Sequence, residues 1–265
     1  MTPEELAQKH KIARDMLTRY TGLMPDEFGK HILLTNFQAY LERFAALTNC
    51  CVKSGVTMPS ATTSDGITMV NFGIGAPNAA LIADMLGVVA PHALLLLGKC
   101  GGLNDHKRKV KIGDFILPTA AIRGDGTSDN YYPREVPALP SFQLHRVVAE
   151  EINKHSKTEV YDYHFGTVFT TNRRLWEHDE QFKSYLQLLR CIGIEMETAA
   201  LFIAAFFNHI PHGALLLVSD MPLIEAKTRE SDAACNALHT DTHIMVGYRA
   251  LQRIKQEGVS VRYMK

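Results

Sequence analysis

Short apolar runs alternate with amphipathic stretches along the whole chain. Residues 1–24 carry apolar positions at helical spacing and stop at Thr21-Gly22; residues 36–47 (NFQAYLERFAAL) do the same, with Asn36 placed as the capping residue. Between them, residues 31–35 (HILLT) have the length and character of a short strand. Two apolar runs, 57–63 and 67–72, flank Ser64-Asp65-Gly66, and an Asp-Gly pair in that setting predicts a hairpin. The second arm ends in glycines and leads into a helix over 79–86, a strand over 92–97 and a glycine-rich loop over 98–102. Then come a strand over 115–122, a Gly/Asp/Pro-rich loop over 124–140, a helix over 141–155 and strand material over 160–171. The remainder reads as a helix over 179–189, a second from about 195 to 208, a strand over 214–218 and a closing helix from about 231 to 257.

Strands alternating with helices predict an α/β protein, with a central mixed, mostly parallel sheet flanked by helices on both faces. No internal repeat or linker divides the chain, so we expect a single domain over 1–265, of which residues 1–55 form the N-terminal helical and edge portion. In open α/β sheets the ligand lies beyond the carboxyl ends of the strands. That rule selects the loops 73–77, 98–102, 123–133, 170–176 and 219–229.

Composition narrows the function classes. Of 265 residues, 46% are hydrophobic and 21% charged, and Lys plus Arg (28) balances Asp plus Glu (28). No global basic field exists to hold nucleic acid or an anionic membrane, so any anion must be held locally. The apolar runs 93–97 and 214–218 fall far short of the ~20 residues that span a bilayer. Five cysteines without a C-x-x-C pair suggest neither a disulfide framework nor a zinc cage; a soluble cytoplasmic protein with reduced thiols is expected. The twelve histidines show no metal-ligand spacing, so neither metal nor cofactor is expected.

Gly73-x-Gly75 follows a predicted strand and precedes a helix, the setting of a dinucleotide fingerprint, but Asn78 stands where the third glycine belongs. The glycines are either a structural turn or amides that meet a phosphate or ribose. Gly98-Lys99-Cys100-Gly101-Gly102 has neither the spacing nor the Ser/Thr of a phosphate-binding loop. Glu195-Met196-Glu197 leads into an apolar, alanine-rich stretch, and two glutamates on the approach to a buried helix are expensive to leave unpaired. Either one caps that helix, or both belong to a site. Ser-Asp occurs four times, but only Ser219-Asp220 directly follows a run that reads as a central strand. Desolvation there would raise the Asp220 carboxyl into the range of a general acid. Trp176, the only tryptophan, either stacks on a ligand or fills the packing of its loop.

Taken together, the segments HILLTNFQAYLERF, VNFGIGAPNA, GKCGGL, RGDGTSD, TTNRRLWE and SDMPLIEAK resemble the purine nucleoside phosphorylase and uridine phosphorylase superfamily, and within it the AMP nucleosidase family. The resemblance runs in order from about residue 31 to residue 235. It implies a nucleoside phosphorylase-like fold, a short form without the N-terminal regulatory domain, and hydrolysis of AMP to adenine and ribose 5-phosphate. By resemblance Asp220, next to Ser219, would serve N7 of the base. Glu197 would bind the ribose hydroxyls with Met196 packed on the sugar, and Glu195 would lie in the same site. Phe169 and Asn172 would border the base. Candidates for the 5′-phosphate are Arg123, Arg174 and Lys227 with the Gly75 amide, because charge-assisted contacts to phosphate favour such groups. Lys99 is a weaker candidate. Residues 222–231 read as a lid. The resemblance also implies a homo-oligomer, a trimer or hexamer, with AMP and possibly phosphate as partners. Phosphorolysis of an unphosphorylated nucleoside and a non-catalytic nucleotide sensor are the competing readings.

Overall fold

A computed structural model describes residues 2–103, 110–155, 161–224 and 228–258. The first helix, α1 (Pro3–Thr21), begins at a reciprocal cap in which Thr2 and Glu5 each hold the other's backbone N–H, and it stops at Gly22 in the left-handed region. The strand expected over 31–35 is β1 (His31–Thr35), buried at every position. It leads to α2 (Gln38–Thr48), β2 (Val52–Lys53) and the expected hairpin of β3 (Ser60–Thr62) with β4 (Ile67–Asn71). Next come α3 (Ala76–Leu86), β5 (Ala93–Gly102), β6 (Phe115–Gly124), α4 (Phe142–His155), β7 (Tyr163–Thr171) and α5 (Glu180–Leu188). The chain continues through β8 (Gly193–Glu195), α6 (Thr198–Phe207), β9 (His212–Asp220) and α7 (Arg229–Glu257).

The sheet is mixed and flanked by helices, as the sequence predicts, with the strand order β2-β3-β4-β1-β5-β8-β7-β6-β9. It is not an open sheet, however. Strand β9 also pairs in parallel with β5, so β5, β8, β7, β6 and β9 close into a ring from which β1, β4, β3 and β2 extend. One apolar cluster joins α3 and α6 to the sheet, and another joins α2, α4 and α7 to it. Helix α6 has no polar face: eight consecutive residues from Thr198 to Ala205 are buried, and it packs closely on α3 within one apolar cluster. Small side chains on both helices permit that close approach.

Three sequence expectations change. Residues 98–102 are not a loop but the second half of β5: a Cβ on Gly101 would lie 2.7 Å from Pro222 Cγ, and one on Gly102 2.6 Å from Met221 Sδ. These glycines are bare because β9 and its continuation lie against them, not because the chain turns there. Residues 193–195 form a strand, and α6 starts at Thr198 rather than near 195. Asn36 does not cap α2, whose N-cap is Phe37 without a side-chain hydrogen bond.

Candidate active site

The carboxyl ends of β1, β4, β5, β7, β8 and β9 open on one cleft. Asn36 and Phe37 line it from beyond β1, Ile74 from beyond β4, and Lys99 to Gly101 from within β5. Met196 and Glu197 line it after β8, and Ser219 and Asp220 at the end of β9. Thr171, Arg173, Arg174, Trp176 and Glu177 enter from β7 and the connection to α5. Four of the five selected loops reach the cleft.

The two glutamates have different surroundings. Glu195 is buried beneath the cleft, where its Oε2 accepts from the N–H groups of Glu197 (2.7 Å) and Thr198 (2.6 Å) at the start of α6. The Thr170 hydroxyl donates to its Oε1 and in turn accepts from the Ala199 N–H at 2.9 Å. This carboxyl therefore closes the N-terminal end of an apolar helix, the capping alternative of the sequence reading. Glu197 lies on the cleft wall. Its Oε1 accepts from the Gly75 N–H at 2.8 Å and its Oε2 from the Met196 N–H at 3.3 Å. Gly75 sits at φ +98°, ψ 158°, a backbone conformation open essentially to glycine alone, which aims its amide at the carboxylate. Burial pushes the Glu197 carboxyl up to about 7, and the neighbouring Glu195 charge adds to the rise.

Asp220 is half-buried beside Gly101, at a register shift between β5 and β9, and the Ser219 hydroxyl donates to its Oδ1 at 2.6 Å. Trp176 both lines the cleft and packs edge-to-face on Phe182, with ring centroids 5.5 Å apart, in a cluster with Leu103, Phe169 and Ile194. Phe169 and Asn172 border a neighbouring depression rather than the cleft.

The expected cations separate. Arg174 is in the cleft, paired with Glu177 at 2.5 Å and half exposed. Arg123 is not there: its side chain, 5% exposed, bonds Ser128, Asp129 and the carbonyls of Tyr132, Pro133 and Val136, stitching up the loop after β6. Lys227 and the centre of segment 222–231 lie outside the described residues. Lys99 lines the cleft 4.6 Å from the Phe37 ring centroid and bonds Asn236 of α7. The sequence reading gave no site role to Asn36, Phe37 or Arg173, although each lies in a segment that carries the resemblance. Among the described residues no group of His, Cys, Asp and Glu could hold a metal ion, and no helix is long and apolar enough to cross a membrane.

This strand arrangement and cleft define a nucleoside phosphorylase-like α/β fold. The chain belongs to the Phosphorylase superfamily, matched over residues 31–246. It is 43% identical to the AMP nucleosidase of Bacteroides thetaiotaomicron VPI-5482, with a TM-score of 0.81 over 94% of this chain and 99% of that one. It is also 27% identical to the AMP nucleosidase of Escherichia coli K12 over 91% of this chain, and spans 58% of that relative's length. A uridine phosphorylase of Treponema pallidum matches 75% of the chain at 26% identity, covering 80% of that relative.

Two outcomes follow from this geometry. Arg123→Ala strips a buried guanidinium from five acceptor groups and should lower stability by about 2–4 kcal/mol in urea denaturation. The KM of the substrate should change less than threefold, and a selective rise of KM would place Arg123 in binding. The second outcome concerns Glu197, an acid whose folded pKa lies above its unfolded one. As pH rises from about 4.5 to about 7 the unfolded chain binds fewer protons than the folded one, so folding stability falls, by roughly 3 kcal/mol for this group. Glu197→Gln should therefore gain stability relative to the parent as pH rises through that window; a constant difference between the two unfolding curves would refute it.

Proposed function

We propose that the chain cleaves the N-glycosidic bond of AMP with water, releasing adenine and ribose 5-phosphate. One observation carries the reading: two carboxyl groups of different setting, Asp220 and Glu197, meet in a single cleft at the strand ends. The extent of the likeness to the Bacteroides AMP nucleosidase supports it.

Breaking the C1′–N9 bond leaves its electron pair on the purine and positive charge on the sugar. Asp220, steadied by the Ser219 hydroxyl, gives its proton to N7 of the departing base. Glu197, in its ionised form, accepts from the ribose hydroxyls and places negative charge by the cationic sugar, while Met196 packs against the ring. Water adds at C1′ and yields a proton to solvent, from which Asp220 is reloaded. Arg174 is the cation that meets the 5′-phosphate, with Arg173 and Lys99 on the same walls. The Gly75 amide holds Glu197 instead of the phosphate. The reading carries with it a homo-oligomer, a trimer or hexamer, in the cytoplasm, serving purine salvage.

Incubation with AMP, adenosine and IMP, each with and without phosphate, should give adenine and ribose 5-phosphate from AMP whether or not phosphate is present. Ribose 1-phosphate appearing only with phosphate would assign phosphorolysis, and tight AMP binding without base release would assign a sensor. Asp220→Asn should cut kcat by about 10²–10⁴-fold, equivalent to roughly 3–5 kcal/mol of barrier, with unchanged thermal melting. Retention of more than half the activity would remove Asp220 from the reaction.

A further inference from the structure

Helix α6 starts without help from its own N-cap residue. Glu197 holds that position, at φ −133° and ψ −36°, where a residue ordinarily closes the helix by turning a side-chain oxygen onto the first free N–H groups. Glu197 makes no such bond. The N–H groups of Glu197 and Thr198 go instead to Oε2 of Glu195, at 2.7 and 2.6 Å, and that of Ala199 goes to the Thr170 hydroxyl at 2.9 Å. Glu195 of β8 and Thr170 of β7 stand opposite each other in a parallel pair, so the helix end is closed from two strand ends. Released from capping, the Glu197 carboxyl lies on the cleft wall against the Gly75 and Met196 amides.

This is a costly way to end a helix. Glu195 is 5% exposed and does not line the cleft, so it buries a charge where a serine or threonine at position 197 would cap the helix more cheaply. Its charge follows from its partners. Oε2 accepts from two N–H groups, and the Thr170 hydroxyl, which accepts from Ala199, has its own hydrogen left for Oε1. What the arrangement gains over an ordinary cap is a free side chain at residue 197.

We propose that Glu195, steadied by Thr170, is a positioning residue for Glu197: its carboxylate grips the Glu197 and Thr198 amides and thereby sets where the Glu197 side chain leaves the backbone and enters the cleft. The consequence for activity rests on the AMP-cleaving reading; the Glu195–Glu197 contact does not. The two charges are tied together as well. Negative Glu195 opposes ionisation of its neighbour and, with burial, holds the Glu197 carboxyl up at about 7. The other charged groups lining the cleft with Glu197 are Lys99 of β5, Asp220 of β9, and Arg173, Arg174 and Glu177 of the connection after β7.

The test uses Glu195→Gln, which keeps the shape and removes the charge. In carboxyl ¹³C NMR of the ligand-free protein, with Glu197 assigned through Glu197→Gln, the variant should lower the Glu197 midpoint by about half a pH unit or more. The second readout is a double-mutant cycle on kcat/KM for AMP at about pH 8, where Glu197 is mostly ionised in either form. Glu195→Gln should cut kcat/KM roughly tenfold in the parent and less than about threefold in a Glu197→Gln background, which has lost the group to be positioned. Thr170→Val carries the same cycle should Glu195→Gln not fold. An unmoved midpoint, or equal losses in the two backgrounds, would overturn the proposal. A midpoint that moves in a protein whose parent leaves AMP uncleaved would uphold the contact and remove the AMP reading instead.

Discussion

Burial of two carboxyl groups two residues apart is the constraint to which the surrounding structure answers. Removing one carboxylate from water costs several kcal/mol, and a second nearby adds repulsion in a medium that screens poorly. The protein treats the two differently. Glu195 receives the first backbone N–H groups of α6 and the Thr170 hydroxyl, and the dipole of a helix with no polar face of its own favours a negative group there. That helix is too apolar to exist except inside the protein, so its orphan N–H groups need a buried acceptor. Once Glu195 occupies them, Glu197 must find donors elsewhere. They come from Gly75, on a loop far away in sequence, and from the Met196 amide.

The same demand shapes the helix layer and the seam of the sheet. Gly75 immediately precedes α3, which begins at Ala76 and packs on α6, the helix that follows Glu197, and the small side chains of both helices suit that packing. Closure of the ring through the β5–β9 pair brings Asp220 beside β5, on whose opposite edge β8 ends at Glu195 and leads to Glu197. Bare glycines at the end of β5 let Pro222 and Met221 pack where side chains would otherwise stand. A register shift at Cys100 and Gly101 locally turns the strand at the point where Asp220 pairs. A flat, open sheet would have set these carboxyl groups farther apart.

Much of this was readable in the residues, and the failures have physical causes. Strand β1 and the hairpin around Asp65-Gly66 were legible because burial and turn chemistry leave local marks. Glu195-Met196-Glu197 and Ser219-Asp220 were legible because charge beside an apolar run demands an explanation. The glycines of 98–102 misled because an absent side chain looks the same in sequence whether it frees a turn or admits a neighbour. Strand β8, three residues long, is too short to show a period. Asn36 resembled a helix cap because asparagine before an amphipathic run usually is one. It lines the cleft instead, and no local pattern records a wall that several distant strands complete.

The cations show how energy separates Arg123 from Arg174, which the sequence offers alike for the phosphate, and where Arg173, not among those candidates, falls beside them. Arg123, near the end of β6, and Arg173 and Arg174, in the connection after β7, all stand beside acids. Arg123 is almost wholly buried, and pulling its guanidinium out to meet a ligand would strip it from three carbonyls and a hydroxyl and leave Asp129 with Arg134 as its cation. That cost exceeds what one phosphate contact returns. Arg173 and Arg174 pair with Asp179 and Glu177 at the surface, about half exposed, where an ion pair contributes on the order of 0–1 kcal/mol. Exchanging one such carboxylate for a phosphate monoester, with nearly twice the charge and three acceptor oxygens, is favourable on the proposed reading. The cation that is easiest to recognise as well placed in the folded chain is therefore the one least able to bind, and the loosely paired arginines at the mouth are the ones free to change partners.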